Sequence, residues 1–330
     1  MNPPGTILLS RPDALGDAVV TLSMAGWIKR HLPGTRIIVL CKEYARAIWS
    51  HCSNVDAILT LEELQDSDAV AMLRSLRADA IVHVFPQQDV ARLAKHAVIA
   101  RRIGTSHRWW HWTTCNERVH FSRKRSTLHE AQLNIKLLEP FGIPMPDDVS
   151  ELIPCLGLNA PAPSERVLAL LRRDRRRVIL HPLLGSGVGW GLPNYAALMR
   201  SLDPSIWQVI ITGTKAEAER YRAALPLTLP HVVDAGGELD LEELMMLIGC
   251  CEAMVAASTG PLHIAAALGR RAIGFFSIRR PIFPARWAPL GMDAHALVND
   301  PQCIQCAAGR SCECITRIPV ARAMELLQRP

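Results

Sequence analysis

Residues 6–40, TILLSRPDALGDAVVTLSMAGWIKRHLPGTRIIVL, decide the fold of this chain. An apolar run over Thr6–Ser10 predicts a strand, and the apolar spacing over Asp17–Arg30 predicts a helix that ends before the following Pro-Gly pair. A second apolar run over Arg36–Leu40 predicts the next strand. A strand, a crossover helix and a parallel strand together form the repeating unit of a parallel α/β sheet.

The alternation of strands and helices continues through the first hundred residues and starts again at Val178. Between the two runs, Gly142–Ser164 holds five prolines and is interpreted as an interdomain linker. The sequence therefore predicts an α/β protein with two Rossmann-like, doubly wound domains over residues 1–160 and 161–330. Arg101–Lys124 has no clear period and is predicted to be a long irregular segment.

The composition is that of a globular protein. Of the 330 residues, 49% are hydrophobic and 21% are charged, which excludes the disordered and fibrous classes. The net charge of +6 comes mostly from Arg, which suits contact with phosphates and carboxylates. This bias alone does not predict a nucleic-acid partner, and none is expected. The first residues do not form a signal-peptide pattern, and no uncharged apolar stretch is long enough for a membrane span, so we expect a cytoplasmic protein.

The turn after the first predicted strand carries charged residues. Arg11 and Asp17 lie in the stretch RPDALGD, where Gly16 is expected to allow a tight turn that places Asp17 at the start of the helix. The Asp17 carboxylate is then expected to face the cleft between the domains and to accept a proton from an attacking hydroxyl. An Asp at a helix start can instead be an N-cap residue, and the spacing alone favours that alternative.

A junction in the second half predicts phosphate binding. Ser258, Thr259 and Gly260 follow an apolar run, and Pro261 and His263 open the next helix. Small residues followed by Pro in the first helical turn leave backbone N–H groups available, and the helix dipole favours an anion there.

Two further stretches are weaker candidates for donor binding. Gly185 and Ser186 belong to a short glycine loop after a predicted strand, which is a second place for a phosphate. Gly213 and Glu217 precede or open a helix where a nucleotide ribose or base can lie, although an acidic residue in a first helical turn is equally expected for structural reasons. No Walker loop or GxGxxG motif follows a strand, which argues against an ATPase and a nicotinamide-dependent enzyme.

Four stretches together resemble a known family. They are residues 7–40, residues 211–226 (ITGTKAEAERYRAALP), residues 234–276, which contain TGPLHIAAALG, and residues 286–291 (RWAPLG). In this order they resemble glycosyltransferase family nine, the ADP-heptose:lipopolysaccharide heptosyltransferases. The resemblance implies a GT-B fold, in which two Rossmann-like domains face each other across a cleft. The first domain then holds mainly the acceptor and the second the nucleotide sugar, and the C-terminal helix is expected to pack back on the first.

The resemblance also implies inversion at the anomeric carbon in a single displacement. Asp17 matches the family's general base. Thr259, Gly260 and His263 match positions that hold the donor diphosphate and sugar, and Glu217 matches an acidic residue near the nucleoside. No cofactor is required for this chemistry, because a helix N-terminus can stabilise the leaving diphosphate in place of a metal.

Two departures from the family pattern concern the donor site. The family usually has Asp where this chain has Ser258, and Lys in a K-x-W-P block where this chain has Val188. Both changes remove a charge. They indicate a different donor sugar, another source of charge such as Arg279, Arg280 or Lys215, or a weakly active or inactive protein.

Four of the ten cysteines lie close together near the C-terminus, as Cys303-x-x-Cys306 and Cys312-x-Cys314. In a reducing compartment they are expected to be thiols or metal ligands rather than disulfides. Four thiolates at this spacing suit a tetrahedral zinc or iron ion, which would be structural because no ligand position remains open for a substrate. The alternatives are a loop of free thiols and a disulfide formed on purification.

Trp109 and Trp110 lie in the irregular segment of the acceptor half, among several Arg and His residues. Indole rings stack on sugars and guanidinium groups bind anionic lipid phosphates, so we expect acceptor contacts here as well as at Arg11 and Gly16. The alternative is a loop that packs its Trp side chains on the first domain. Together with the net charge, the segment favours peripheral contact with the acidic cytoplasmic face of the inner membrane.

The main hypothesis is an inverting glycosyltransferase that moves a sugar from a nucleotide diphosphate donor, by resemblance ADP-heptose, to a lipopolysaccharide core or related glycan. A second hypothesis keeps the fold but takes a protein side chain as the acceptor, with the four cysteines shaping the acceptor surface. A third, from another class, is a non-catalytic scaffold that binds a nucleotide or glycan.

Overall fold

The computed structural model describes residues 3–66, 68–184 and 189–329. The chain divides into two compact units, Met1–Asn159 and Ala160–Pro330. Each unit contains one six-stranded sheet in which all neighbouring strands pair in parallel. Among the described helices, none has both the length and the apolar character needed to span a bilayer.

The sheet of the first unit has the strand order β3-β2-β1-β4-β5-β6. Its central strands are apolar on both faces, and Ile7, Leu8 and Leu9 have no exposed surface. Strands of a parallel sheet are buried in this way because helices cover both faces. The strands are β1 (Thr6–Ser10), β2 (Arg36–Cys41), β3 (Ala57–Thr60), β4 (Ala80–His83), β5 (Arg101–Thr105) and β6 (Glu117–Val119).

Seven α-helices are described in the first unit. The first of them is buried from Ala18 to Ile28, which makes it the central helix of one layer. Short 3-10 helices cover Glu43–Ala45, Lys136–Phe141 and Val149–Cys155. The α-helices are α1 (Leu15–His31), α2 (Arg46–Ser50), α3 (Leu61–Gln65), α4 (Ala69–Ser75), α5 (Gln88–His96), α6 (His111–Thr114) and α7 (Glu130–Ile135).

The segment predicted to be irregular, Arg101–Lys124, contains β5, α6 and β6, so that prediction is wrong. The sequence did not predict β5, because its residues are Arg-Arg-Ile-Gly-Thr and apolar residues do not alternate with polar ones. Its pairing with β6 is instead reinforced by Arg101, whose Nε and Nη2 each donate to the Glu117 carboxylate at 2.7 Å. A bidentate ion pair of this kind is among the stronger side-chain interactions.

The proline-rich stretch Gly142–Ser164 is only partly a linker. Its 3-10 helix packs on α1, where the Cys155 carbonyl approaches Gly26 so closely that a Cβ there would overlap it. The Asn54 side chain donates to the same carbonyl at 3.0 Å. The stretch therefore belongs to the first unit as far as Asn159.

The second unit repeats the topology of the first. Its strand order is β12-β11-β10-β7-β8-β9, which is the order of the first sheet when the strands are counted from the start of each unit. This is the order of the Rossmann fold. The strands are β7 (Arg176–His181), β8 (Trp207–Ile211), β9 (Val232–Asp234), β10 (Ala253–Ala257), β11 (Arg271–Phe276) and β12 (Ala294–Val298).

The C-terminal helix buries Ala323, Leu326 and Leu327 in the core of the second unit. Its apolar face lies against the helix Leu192–Ser201 of the same unit, and the expectation that it also packs back on the first domain stays a prediction. The described helices of this unit are α8 (Glu165–Ala169), α9 (Leu192–Ser201), α10 (Lys215–Tyr221), α11 (Leu241–Gly249), α12 (Gly260–Ala267), α13 (Pro284–Trp287), α14 (Ile304–Ala307) and α15 (Val320–Gln328).

Candidate active site

The turn after β1 places a buried guanidinium at the carboxyl edge of the first sheet. The Arg11 side chain is only 2% exposed, and its backbone N–H donates to the Leu40 carbonyl at 2.8 Å. Its Nε lies 3.0 Å from Asp13 Oδ1, and its Nη2 donates to Asp17 Oδ1. One buried cation therefore holds two carboxylates beside the first turn of α1.

A second guanidinium completes this group. Arg123 Nη1 donates to Oε1 of Glu130, which is 3% exposed, and Arg11 Nη2 lies 3.8 Å from the same oxygen. We call Arg11, Asp13, Asp17, Arg123 and Glu130 the charged cluster. Both guanidinium groups also donate to one backbone carbonyl, that of residue 84, at 3.4 and 3.3 Å. The cluster thus links the turn after β1 to the loop after β4.

The charged cluster contains three carboxyl groups and two guanidinium groups. Burial is the main cause that raises the pKa of Asp13 to about 7. Arg11 opposes this effect, while Asp17 and Glu130 add to it because a further negative charge is unfavourable beside them. Near neutral pH, a proton on Asp13 leaves one guanidinium for each of the two remaining carboxylates.

Asp17 lies in the first turn of α1 and is not the N-cap. The N-cap position belongs to Ala14, whose backbone is extended (φ −71°, ψ 154°) and whose side chain makes no capping hydrogen bond. The N-cap alternative for Asp17 is therefore wrong. Gly16 is already helical, rather than part of a turn before the helix. The Asp17 carboxylate is 22% exposed, so solvent can reach it.

The junction after β10 is uncharged. Thr259 occupies the N-cap position of α12 with extended backbone (φ −128°, ψ 160°), and Gly260 and Pro261 open the helix. The Thr259 hydroxyl is buried and has no hydrogen-bond partner among the described residues. His263 is also buried, and its ring contacts that of Trp287 at 6.3 Å between centroids. The helix N-terminus is thus unoccupied by any side-chain cap, which suits an anion.

A cavity of about 280 Å³ lies beside this junction. Ser258 lines it together with Arg279 and Arg280, two of the cations that the sequence suggested as replacements for the missing Lys. Apolar side chains, including Phe275 and Ile315, form other walls. The cavity therefore combines positive charge with apolar surface, as a nucleotide site requires.

Glu217 and Gly213 have local structural roles. Glu217 Oε2 accepts hydrogen bonds from the Thr214 backbone N–H at 2.8 Å and from the Thr214 hydroxyl at 3.0 Å, which forms a capping box at the start of α10. The Gly213 carbonyl accepts from the Gly237 N–H at 2.8 Å. Donor binding by either residue stays a prediction. Gly185 and Ser186, with Val188, lie outside the described residues.

The segment Arg101–Lys124 exposes two of its Trp side chains to solvent. Trp109 is 67% exposed and Trp112 is 62% exposed, whereas Trp110 is partly buried between Trp109 and His111. The Arg118 guanidinium lies 4.6 Å from the centre of the Trp112 ring. The alternative of a packed loop therefore applies to Trp110 only.

The charged cluster includes three residues that sequence reasoning missed, namely Asp13, Arg123 and Glu130. Asp13 had a usable signal, since it lies between Arg11 and Asp17 in the same turn. The other two are separated from that turn by more than a hundred residues, and no local pattern connects them. The four predicted cysteine ligands do lie together, with their Sγ atoms within 4.8 Å of one another.

Comparison with known proteins identifies the family. The sequence model of glycosyltransferase family 9 (heptosyltransferase) matches residues 72–315. The chain belongs to this family. It is therefore a glycosyltransferase, an enzyme that transfers sugars.

Relatives and solved structures agree with this assignment. Lipooligosaccharide heptosyltransferase 2 of Haemophilus ducreyi is 23% identical over 310 residues, which cover 87% of each chain. The structure of E. coli ADP-heptose lps heptosyltransferase II matches with a TM-score of 0.77 and 21% identity over 98% of this chain and 97% of that one. An E. coli heptosyltransferase solved with ADP matches with a TM-score of 0.70 and 14% identity over 98% and 99%. These matches, with the two parallel-sheet units, confirm the GT-B fold.

Proposed function

We propose that this glycosyltransferase moves a heptose from ADP-heptose to a saccharide of the lipopolysaccharide core, with inversion at the anomeric carbon. The observation that carries the proposal is the geometry of Asp17 in the first turn of α1. Arg11 Nη2 donates to the Asp17 carboxylate, which stays partly exposed. The names of the Haemophilus ducreyi relative and of the E. coli structure support heptose as the sugar and lipopolysaccharide as the acceptor.

In the proposed step, the acceptor oxygen attacks the anomeric carbon while its proton passes to the Asp17 carboxylate. The bond from the anomeric carbon to the donor phosphate oxygen breaks, and its electron pair leaves with ADP. Arg11 orients the carboxylate, because its guanidinium is fixed by Asp13 and by a backbone carbonyl. A base held in one orientation does not have to be ordered during the reaction.

The donor side of the proposal relies on the junction after β10. The N–H groups at the start of α12 and the Thr259 hydroxyl offer hydrogen bonds to a diphosphate. Arg279 and Arg280 supply positive charge in the neighbouring cavity, where the family's Lys is absent from the sequence. Stabilisation of the leaving diphosphate by such fixed groups is a large contribution to catalysis.

The acceptor side relies on the Trp109, Trp112 and Arg118 surface. Exposed indole rings can stack on the apolar faces of sugars, and Arg118 adds a cation for an acceptor phosphate. The same chemistry allows contact with the anionic surface of the inner membrane, from which a lipid-linked acceptor projects.

Replacement of the proposed base tests this function. Asp17→Asn should reduce turnover of ADP-heptose and a core acceptor by about 10²–10⁴-fold, the usual contribution of a general base. ADP binding, measured by calorimetry, should change little. The matched control is Asp89→Asn, because Asp89 is also an acidic residue in a first helical turn but is exposed and distant in sequence. Retained turnover in Asp17→Asn would reject the assignment.

A nucleotide panel tests the donor. Titration with ADP, UDP, GDP and CDP should show selective binding of ADP. Preference for another nucleobase would keep the fold and the assignment of Asp17 as the general base. It would replace ADP-heptose as the donor. Selective ADP binding without transfer to any core saccharide would point to a protein acceptor, and absence of nucleotide binding would favour the non-catalytic scaffold.

A further inference from the structure

The connection from β12 to α15 has almost no apolar core of its own. Over residues 298–317, all of which are described, the buried residues are Cys306 and Cys314. Ile304 is 81% exposed, and Ile315 is only partly buried against the core of the second unit. A segment with so little apolar burial gains little stability from a core of its own, and a cross-link or a metal would stabilise it.

The four cysteines of this connection converge on one point. Cys303 occupies the N-cap position of α14, and Cys306 lies on that helix. Gly309 then reverses the chain with a left-handed backbone (φ +71°), which brings Cys312 and Cys314 back to the first two thiols. All four Sγ atoms lie within 4.8 Å of one another, and those of Cys306 and Cys312 are 2.8 Å apart.

This arrangement fits a tetrahedral metal ion. With metal–sulfur bonds of about 2.3 Å, the sulfur atoms of such a site are about 3.8 Å apart, which is within the observed spread. Four sulfur ligands favour zinc or iron over harder cations. All ten cysteines of the chain are free thiols, so the four are available as ligands.

We propose that Cys303, Cys306, Cys312 and Cys314 bind one zinc or iron ion that fixes the wall of the cavity beside Ser258. The connection to that wall is direct in the sequence, because Ile315 follows the last ligand and lines the cavity.

Two hydrogen bonds connect the segment that follows the metal site to residues that support the cavity wall. The carbonyl of Thr316 accepts from Asn194 Nδ2 at 2.7 Å, and that of Ile318 accepts from Trp190 Nε1 at 2.8 Å. The Trp190 ring is fully buried and stacks on Phe275, which also lines the cavity, at 4.0 Å between centroids. Metal binding is thereby linked to the shape of the proposed nucleotide site.

Metal analysis of the full-length protein tests the site. After purification without chelators and under reducing conditions, the protein should hold about one ion per chain, and elemental analysis identifies it as zinc or iron. The Cys303→Ser/Cys312→Ser double variant should lose it. The matched control is Cys250→Ser, since Cys250 is a partly exposed cysteine of the same unit outside the cluster. Co²⁺ titrated into the reduced metal-free protein should give a tetrahedral thiolate spectrum in the wild type and the control but not in the double variant.

Three results would overturn the proposal. One is a wild-type protein without metal that also fails to bind Zn²⁺, Fe²⁺ or Co²⁺ after reduction. Another is a disulfide among the four cysteines in protein isolated without air. The third is equal metal content in the double variant and the control.

The effect on the cavity has a separate readout. Loss of the metal should lower the thermal midpoint of the protein and weaken ADP binding, whereas Cys250→Ser should change neither. The link to ADP rests on the proposed function, but the metal content does not. Wild-type protein with metal and without nucleotide binding would reject the function and keep the metal site, whereas unchanged ADP binding in the metal-free variant would reject the link to the cavity.

Discussion

The junction after β1 is rich in charged side chains, whereas the junction after β10 is uncharged. Each follows one of the two neighbouring strands between which the strand order of its sheet reverses, β1 and β4 or β10 and β7, and open α/β sheets bind ligands at such a point. The first gathers five ionisable side chains into the charged cluster, and Arg11 and Glu130 among them are buried. The second has Ser, Thr, Gly and Pro and leaves a helix N-terminus open.

The difference matches the roles that we propose for the two junctions. A partly buried carboxylate that accepts a proton is stabilised by a cation beside it. A diphosphate already carries negative charge, so its site needs hydrogen-bond donors and no acid. On the proposed function, the same topology serves the two halves of one reaction, and the side chains of two short turns separate their roles.

The largest expected effect comes from breaking the charge balance of the first junction. Arg11→Met removes the buried cation beside the Asp13 and Asp17 carboxylates, while Glu130 keeps Arg123, and the loss of one partner of a buried ion pair costs about 3–5 kcal/mol. Urea unfolding should show this loss. Arg92→Met is the control, because the Arg92–Asp89 pair is exposed. Recovery of part of the stability in Arg11→Met/Asp17→Asn would confirm the charge as the cause; no recovery would assign the loss to packing.

A second prediction concerns the pH dependence of that junction. The folded-state pKa of Asp13 is about 7, against about 3.8 for an ordinary Asp, so the folded state keeps a proton that the unfolded chain releases. Protonation of Asp13 contributes its full stabilisation to the folded state below about pH 4. This contribution is lost as the pH rises to about 7, which lowers the free energy of unfolding by on the order of 2–4 kcal/mol. Asp13→Asn should lack this loss. Unfolding at pH 5 and pH 8 measures it, and parallel profiles for the two proteins would contradict the assignment.

A third change tests whether the second junction depends on cations. Arg279→Ala should weaken ADP binding by about tenfold or more, because a charged hydrogen bond contributes about 1.5–3 kcal/mol. Arg173→Ala, at an exposed position of the same unit, is the control. Calorimetry at two salt concentrations should show a weaker salt dependence in Arg279→Ala. An unchanged affinity would mean that the helix N-terminus alone carries the anion.

The smallest expected effect lies on the acceptor surface. Trp109→Ala removes an exposed ring from the first unit, and one stacking contact contributes about 0.5–1.5 kcal/mol. The KM for the acceptor should rise a few-fold, with the affinity for ADP unchanged. Trp112→Ala should behave in the same way, while an effect of either variant on ADP binding would place this surface on the donor side.

Much of the fold could be predicted because its strands are apolar and bounded by turn residues. Thr6–Ser10 is the clearest example, since four of its five residues are buried and the strand has the predicted bounds. Arg101–Thr105 could not be found in this way, because a cross-strand ion pair and not apolar alternation specifies it.

The candidate site could be predicted where it follows a strand directly. Asp17 and Thr259 lie at such positions, and the structure places both at helix starts. Arg11, the partner of Asp17, belongs to the same turn, but the other members Arg123 and Glu130 could not be predicted, because they are distant in sequence and join the cluster only through tertiary packing. Their contribution to the charge of the site is a property of the fold rather than of any local motif.

The close approach of Cys155 to Gly26 determines where the two units can be separated experimentally. Trp27 Nε1 also donates to the Pro144 carbonyl at 2.9 Å, so residues 144–155 complete the packing of α1. A fragment that stops at Gly142 would expose this face of α1 and should aggregate. A fragment that extends to Asn159 keeps it covered and is suited to isotope labelling and study of the first unit by NMR.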